Sequence, residues 1–252
     1  MHQTVSGSDI SGTQLDLLVL AALDEYQMLQ EGDRVLVCLS GSSSSLCLLH
    51  LLHQFCQTRQ LKVNLAAITV GGGDCGVDPR TLMLYLKELG VTYFYEPLAS
   101  QHESVSEQLM HHARHRQYNV LAMGSTLDKL ADRFLSSLLY RGELCALQAV
   151  QRSDETSKSP EGDVRIIRPL LFLREKTFEE FATAQGIPCR SSNVLTGSGG
   201  GDTLRELLHK QELINPLVYH NIRNALRPIL SLRTEASKSA YEMLRNSLNT
   251  RE

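Results

Sequence analysis

Between positions 40 and 45 the chain reads Ser-Gly-Ser-Ser-Ser-Ser, and its flanks give that run a chemistry. Before it, Val35-Leu36-Val37-Cys38-Leu39 is an apolar run of the length of a buried strand. After it, Leu46, Leu48, Leu49, Leu52 and Phe55 recur at helical spacing. A strand that turns through small residues into a helix leaves the first helical N–H groups without partners and aims the helix dipole at the turn. Such a turn holds phosphate. Ser40, Gly41, Ser42, Ser43, Ser44 and Ser45 are therefore the candidate phosphate- or nucleotide-binding residues. A flexible Ser/Gly linker is the plainer alternative, and the strand and helix on either side argue against it.

Other residue types with chemical potential are weaker signals. No Gly-Lys-Ser/Thr closes the serine turn, which excludes a Walker P-loop. His111, His112 and His115 fall on one helix, where His111 and His115 share a face, but no carboxylate or cysteine at ligand spacing completes a metal set, so none is expected. The six cysteines include no C-x-x-C pair, which argues against a zinc ribbon, a redox pair or a sequence-local cluster. Arg223, Arg227, Arg233, Lys238 and Arg245 can follow a nucleic-acid backbone, and solvated helix faces account for them equally well.

The elements that must position the serine turn follow from periodicity. An amphipathic helix covers Gln14–Gln30, then a strand Arg34–Leu39 and a helix to about Arg59. Further strands are expected at Val63–Val70, Val91–Tyr95, Asn119–Met123 and Ile166–Ile167, with helices at Pro79–Leu89, Glu103–Gln117, Leu127–Leu139 and Arg174–Gln185. Strands alternating with helices imply βαβ units. The expectation is a doubly wound, five-stranded parallel α/β sheet with ligands at the C-terminal strand ends. Ser153–Gly162 and Ser191–Gly201 read as linkers, and Thr203–Leu213, Pro216–Leu226 and Glu235–Leu248 as a helical C-terminal appendage. The organisation is thus a polar leader over 1–13, an α/β nucleotide-binding domain over 14–190 and a helical region over 202–252.

Composition bounds the setting. Hydrophobic content of 42% and charged content of 21% are those of a globular protein. No apolar run approaches the ~20 residues that span a bilayer, and Met1–Thr13 lacks the order of a signal peptide, so a cytoplasmic location without membrane contact is expected. The net charge of −3 is uneven: Val164–Glu252 holds 13 Lys/Arg against 9 Asp/Glu, leaving 12 against 19 elsewhere. A basic C-terminal part on an acidic body is compatible with a nucleic-acid partner, and a helical tail with solvated charged faces accounts for it at least as well.

Four stretches resemble a known family. The serine turn is similar to the Ser-Gly-Gly-x-Asp-Ser loop of the PP-loop N-type ATP pyrophosphatases, with Ser40, Gly41 and Ser45 in frame. Met28-Leu29-Gln30-Glu31-Gly32-Asp33-Arg34 leads into the strand as in that family. Met123-Gly124-Ser125-Thr126-Leu127-Asp128-Lys129-Leu130-Ala131-Asp132 stands where the family has Gly-His-His-x-Asp-Asp, and Ile167-Arg168-Pro169-Leu170 with Arg174-Glu175-Lys176 resembles its Arg-Pro-Leu…Arg-Glu-Lys stretch. Over Leu15 to Leu230 the order of segments resembles the tRNA 2-thiocytidine synthetase branch.

The resemblance implies a nucleotide site that includes Gly124 and Asp128, and ATP or AMP as ligand. Family enzymes adenylate a base carbonyl of tRNA, and sulfur then displaces AMP. Asp128 has a second reading, as an early-helix acid behind a Thr126 cap. Ser42 and Ser44 stand in place of the second glycine and the metal-holding aspartate, Ser125 and Thr126 in place of the histidines, and Lys129 reverses the sign of the second aspartate. The C-x-x-C pairs that hold the branch's iron–sulfur cluster are absent, so no cluster is expected. The resemblance then implies a non-catalytic nucleotide- or tRNA-binding subunit of tRNA thiolation. Its partner would be a second copy or a catalytic thiolase subunit, as with the serine-substituted subunit of the cytosolic tRNA thiolase. An active ATP-dependent tRNA 2-thiolation enzyme and a stand-alone nucleotide sensor are the alternatives.

Overall fold

The computed structural model describes residues 12–71, 77–97, 104–152, 163–189 and 201–230. Most of the expected leader, both expected linkers apart from Gly201, the helix at Glu235–Leu248, and Arg233, Lys238 and Arg245 lie outside these residues. In chain order the elements are α1 (Gly12–Glu25), β1 (Arg34–Cys38), α2 (Ser43–Thr58), β2 (Asn64–Val70), α3 (Pro79–Glu88), β3 (Thr92–Glu96), α4 (Val105–His115) and β4 (Val120–Met123). They continue with α5 (Leu127–Arg141), β5 (Val150–Arg152), β6 (Arg165–Ile167), α6 (Glu175–Gln185), α7 (Gly201–Ile214) and α8 (Val218–Leu230).

The sheet has the order β3-β2-β1-β4-β6-β5. Its first five strands are parallel and are the five expected from periodicity. The sixth, β5, pairs antiparallel with β6 at the edge, with Val150 opposite Ile167. Three residues are too few to show a two-residue repeat, so nothing local announces this strand. The buried Arg168 secures it: its backbone N–H bonds Ala149 O, and its guanidinium reaches Gln148 O at 2.8 Å and the Gln151 side chain at 3.1 Å. Burial pushes the guanidinium down to about 10.

Both faces of β1 are covered, which is why its sequence is continuously apolar rather than alternating. Val35 and Val37 face a large core built from α1, α2, α3, α5 and α6, whereas Leu36 faces a smaller one with Ile68, Leu109, Ala113, Leu121 and Ile166. On that second face α4 supplies Leu109 and Ala113. Helix α2 lies between the sheet and α6. Its residues Leu46, Cys47, Leu48, Leu49, Leu51 and Leu52 are all buried, so it is apolar around much of its circumference. Helices α7 and α8 pack on α5, burying Leu204, Leu208, Tyr219 and Leu226.

One carboxylate holds the N-terminal ends of the central strands. Asp33, 4% exposed, pairs with Arg165 at the start of β6 and accepts from Asn119 Nδ2 at 2.9 Å, just before β4. It also accepts from the backbone N–H of Gln30 at 2.7 Å. Removing it leaves the mostly buried Arg165 cation unpaired, a loss of about 3–5 kcal/mol. Asp33→Ala is therefore expected to lower the urea midpoint strongly, whereas Asp33→Asn, which keeps two of the hydrogen bonds, should lower it less; chemical denaturation followed by circular dichroism measures both.

Candidate functional site

In this strand order β1 leads outward to β2 and β3 on one side and lies beside β4 on the other, so the direction of winding reverses between β1 and β4. The crevice at the C-terminal ends of two such strands is where open α/β sheets bind ligands. Here the chain places Ser40-Gly41-Ser42 after β1 and Gly124-Ser125 after β4.

The serine turn is built by its own hydroxyls. Gly41 takes φ +78°, a left-handed conformation that an L side chain rarely adopts. Ser42 is the extended N-cap of α2, its hydroxyl accepting from the backbone N–H of Ser45. The Ser45 hydroxyl donates to Ser42 O at 2.9 Å and accepts from the Ser40 N–H at 3.3 Å. The hydroxyls of Ser40 and Ser42 lie 3.0 Å apart, and those of Ser42 and Ser44 3.1 Å apart. Ser43 and Ser44 are enclosed in the first turn of α2, Ser44 completely.

Gly124 closes the other side. A Cβ there would stand 2.9 Å from Ser45 Cα, 3.0 Å from Ser45 N and 3.1 Å from Ser44 C, so only glycine lets the β4–α5 turn lie against the start of α2. Between these turns and α4 is a cavity of about 180 Å³. Ser40, Ser45, Gly124, Ser125 and Lys129 form its polar wall. The apolar wall is Cys38, Leu39, Ile68, Val70, Val105, Leu109 and Met123. Helix α4 enters at the cavity with its own N-terminus already satisfied by a capping box, in which Glu107 accepts from the Ser104 N–H at 2.8 Å. Burial pushes the Cys38 thiol up to about 12, so this cysteine is an apolar wall group rather than a nucleophile.

The structure thus brings together Ser40, Ser45 and Gly124 of the sequence-predicted set, with Gly41 and Ser42 shaping the turn beneath them. Ser43 and Ser44 do not line the cavity, and neither does Asp128. The Asp128 carboxylate is engaged with α6, accepting from the backbone N–H of Glu175 at 2.6 Å and from Arg174 Nε at 3.0 Å. Arg174 in turn pairs with Glu212 on α7 and lies over the Tyr219 ring of α8 at 3.4 Å. These bonds give Asp128 a structural partner at the start of α5. Thr126 is the N-cap of α5 by position, but its hydroxyl makes no capping bond.

Arg223 sits on α8 beside His220, 3.1 Å from its Nδ1, and Arg227 is placed by its backbone alone in the same helix. His111 and His115 stack at 6.3 Å at the end of α4 away from the cavity. Lys129 and Ser125 were not among the expected binding residues. Their position just beyond the end of β4 was the available signal, because strand ends at the switch point line the crevice.

Neither a magnesium site nor a cluster site fits the described residues. The cavity wall offers hydroxyls, amides and one ammonium but no carboxylate, and a hard divalent cation is held by carboxylate and other oxygen ligands. Among the described residues no group of three or more His, Cys, Asp or Glu is placed to hold a metal.

The site thus sits in a doubly wound sheet whose first strand turns through Ser-Gly into a helix at the switch point, against a glycine after the fourth strand. No family model matches the chain. It is nevertheless homologous to the tRNA-cytidine(32) 2-sulfurtransferases of the PP-loop ATP pyrophosphatase family. It is 27% identical over 232 residues to tRNA-cytidine(32) 2-sulfurtransferase 2 of Francisella tularensis subsp. tularensis, covering 84% of this chain and 90% of that protein. It is 26% identical over 235 residues to tRNA-cytidine(32) 2-sulfurtransferase 1 of Francisella philomiragia, covering 84% and 88%. Among solved structures it is similar to the U34-tRNA thiolase NcsA of Methanococcus maripaludis with its 4Fe–4S cluster. That likeness has a TM-score of 0.65 and 17% identity, covers 87% of this chain and 79% of that one, and shows a shared fold.

Two measurements test this geometry. Gly124→Ala drives a methyl into the Ser44–Ser45 backbone, and overpacking of this kind costs about 1–3 kcal/mol; a lowered melting temperature and weaker phosphate binding by calorimetry are expected together. The hydrogen bond from Arg174 holds the Glu212 carboxyl below its ordinary value of 4.5. A depressed folded value stabilises the protein above the unfolded value and loses that contribution as pH falls through the folded one. The stability difference between the native chain and Glu212→Gln should therefore be constant near neutrality and shrink below about pH 4.5, measured by urea unfolding at several pH values.

Proposed function

We propose that this chain is a tRNA-thiolation protein of the PP-loop type that binds an adenine nucleotide or phosphate in the cavity but does not itself carry out the thiolation. The named relatives are tRNA 2-sulfurtransferases, so tRNA is the macromolecule this reading assigns, with the cytoplasm as the location. The observation that carries the reading is the donor set of the cavity wall. It keeps the hydroxyls, the helix N-terminus and the glycine contact that cradle phosphate, and among its described residues there is no carboxylate to hold the metal that adenylation chemistry uses.

The division of labour follows from the same wall. The hydroxyls of Ser40 and Ser125 and the Lys129 ammonium receive phosphate oxygens beside the N-terminus of α2, while Ile68, Val70, Val105, Leu109 and Met123 receive the less polar part of the ligand. Among the described residues the titratable groups of this wall are Lys129 and the Cys38 thiol, which burial pushes up to about 12, and neither suits a general base or a sulfur carrier. The non-catalytic protein would then present tRNA or nucleotide to a catalytic thiolase subunit, or work as a second copy of itself. The α7–α8 region supplies Arg223 and Arg227 for a nucleic-acid backbone.

The active-enzyme reading keeps one favourable observation: the similarity runs along 84% of this chain and 90% of a named sulfurtransferase rather than along one motif. The purified chain supplied with ATP, Mg²⁺, a sulfur donor and bulk tRNA separates the two. The binding-subunit reading expects tRNA retention in a gel-shift assay, no pyrophosphate release and no thiolated nucleoside by mass spectrometry. Pyrophosphate release with a thiolated nucleoside would establish the enzyme instead. Nucleotide binding with no tRNA retention would leave the stand-alone sensor.

A further inference from the structure

The charges around the cavity are unbalanced. Lys129 is the third residue of α5, in the first turn, where the helix dipole disfavours a cation. The adjacent acid that would offset it, Asp128, is committed to Arg174 and to the N-terminus of α6. Among the described residues Lys129 has no ion-pair partner, and it lines the cavity with Ser40, Ser45, Gly124 and Ser125. The N-terminus of α2 adds a second positive end at the same wall. The start of α5 also lacks its side-chain cap: the Thr126 hydroxyl is fully buried, makes no hydrogen bond, and sits next to Ser125. Two helix N-termini and a lysine converge on one polar wall with no carboxylate among its described residues. Such a wall is completed by an anion, and it offers a divalent cation hydroxyl oxygens but no counter-charge.

We infer that Lys129 takes the role of a divalent cation in this cavity, so that a nucleoside monophosphate binds there without magnesium. The inference rests on the phosphate-binding reading above and goes beyond it by naming the counter-charge and the ligand class. A lysine offers three donors and one unit of charge, enough to match a phosphate monoester and less suited to the denser charge of a triphosphate. The cavity volume of about 180 Å³ falls below the roughly 300–1,000 Å³ of common ligand pockets. Its apolar side favours a ligand with a flat organic part over pyrophosphate alone.

Calorimetric titration of the full chain with AMP, pyrophosphate and ATP, each in excess EDTA and in excess Mg²⁺, tests this. AMP should bind with the same affinity in both conditions and more tightly than pyrophosphate. Lys129→Met should weaken AMP by about tenfold or more, the loss expected for one charge-assisted hydrogen bond, with an unchanged melting temperature; Lys129→Arg should retain most of the affinity. Lys129→Asp should make the remaining binding depend on Mg²⁺. AMP binding that requires Mg²⁺ in the native chain, or that survives Lys129→Met, overturns the role of Lys129 and leaves the phosphate site standing. Absence of heat with every ligand in both conditions overturns the phosphate site as well. The comparison of EDTA with Mg²⁺ needs no variant, so it decides the matter even where a substitution unfolds the chain.

Discussion

A hydrogen atom is the largest side chain that position 124 accepts, and the site depends on that restriction. The turn after β4 lies against the first turn of α2 so closely that a methyl would stand 2.9 Å from Ser45 Cα. This contact joins the two halves of the sheet at the point where the winding reverses. It sets the distance between the serine turn and the start of α5, and therefore the polar wall of the cavity. The rest of the fold holds the two turns in place. The bulk of α2 is locked between the sheet and α6, and Asp33 fastens the opposite ends of the strands through Asn119 and Arg165.

A second arrangement keeps α5 from moving relative to the C-terminal helices. Arg174 bonds Asp128 and Glu212 and covers Tyr219, so one guanidinium touches α5, α7 and α8 from the start of α6. Planar guanidinium geometry suits it to carboxylate and ring contacts at once, which a lysine ammonium does not match. The consequence for chemistry is direct. An aspartate that the family resemblance assigns to the nucleotide site is used instead to join helices, and its neighbour Lys129 faces the cavity in its place.

The homology to tRNA 2-sulfurtransferases and the donor set of the cavity describe different properties and are compatible. The turn after β1, the glycine after β4 and the order of strands are what the backbone of this fold requires. Reactive side chains are less constrained by folding, and the buried Ser44 hydroxyl lies 3.1 Å from that of Ser42 within the first turn of α2. A turn made of N–H groups and hydroxyls needs no metal-holding carboxylate to keep its shape.

The five parallel strands and their helices were legible in the chain because buried parallel strands need continuous apolar runs, and the intervening helices need a repeat of three to four. The serine turn was legible for the same local reason: Gly41 and the serines interrupt one periodicity where the next begins. What local pattern could not decide was anything that depends on partners distant in sequence. The three-residue β5 exists because Ile167 and Arg168 receive it. Asp128 and Lys129 are neighbours in the chain with opposite fates, because Arg174, 46 residues later, reaches one of them and not the other. Sequence alone determined that phosphate could be cradled after β1; only the tertiary structure decided which side chains face it, since a helix turn separates adjacent residues by about 100° and packing alone chooses the side that meets the cavity.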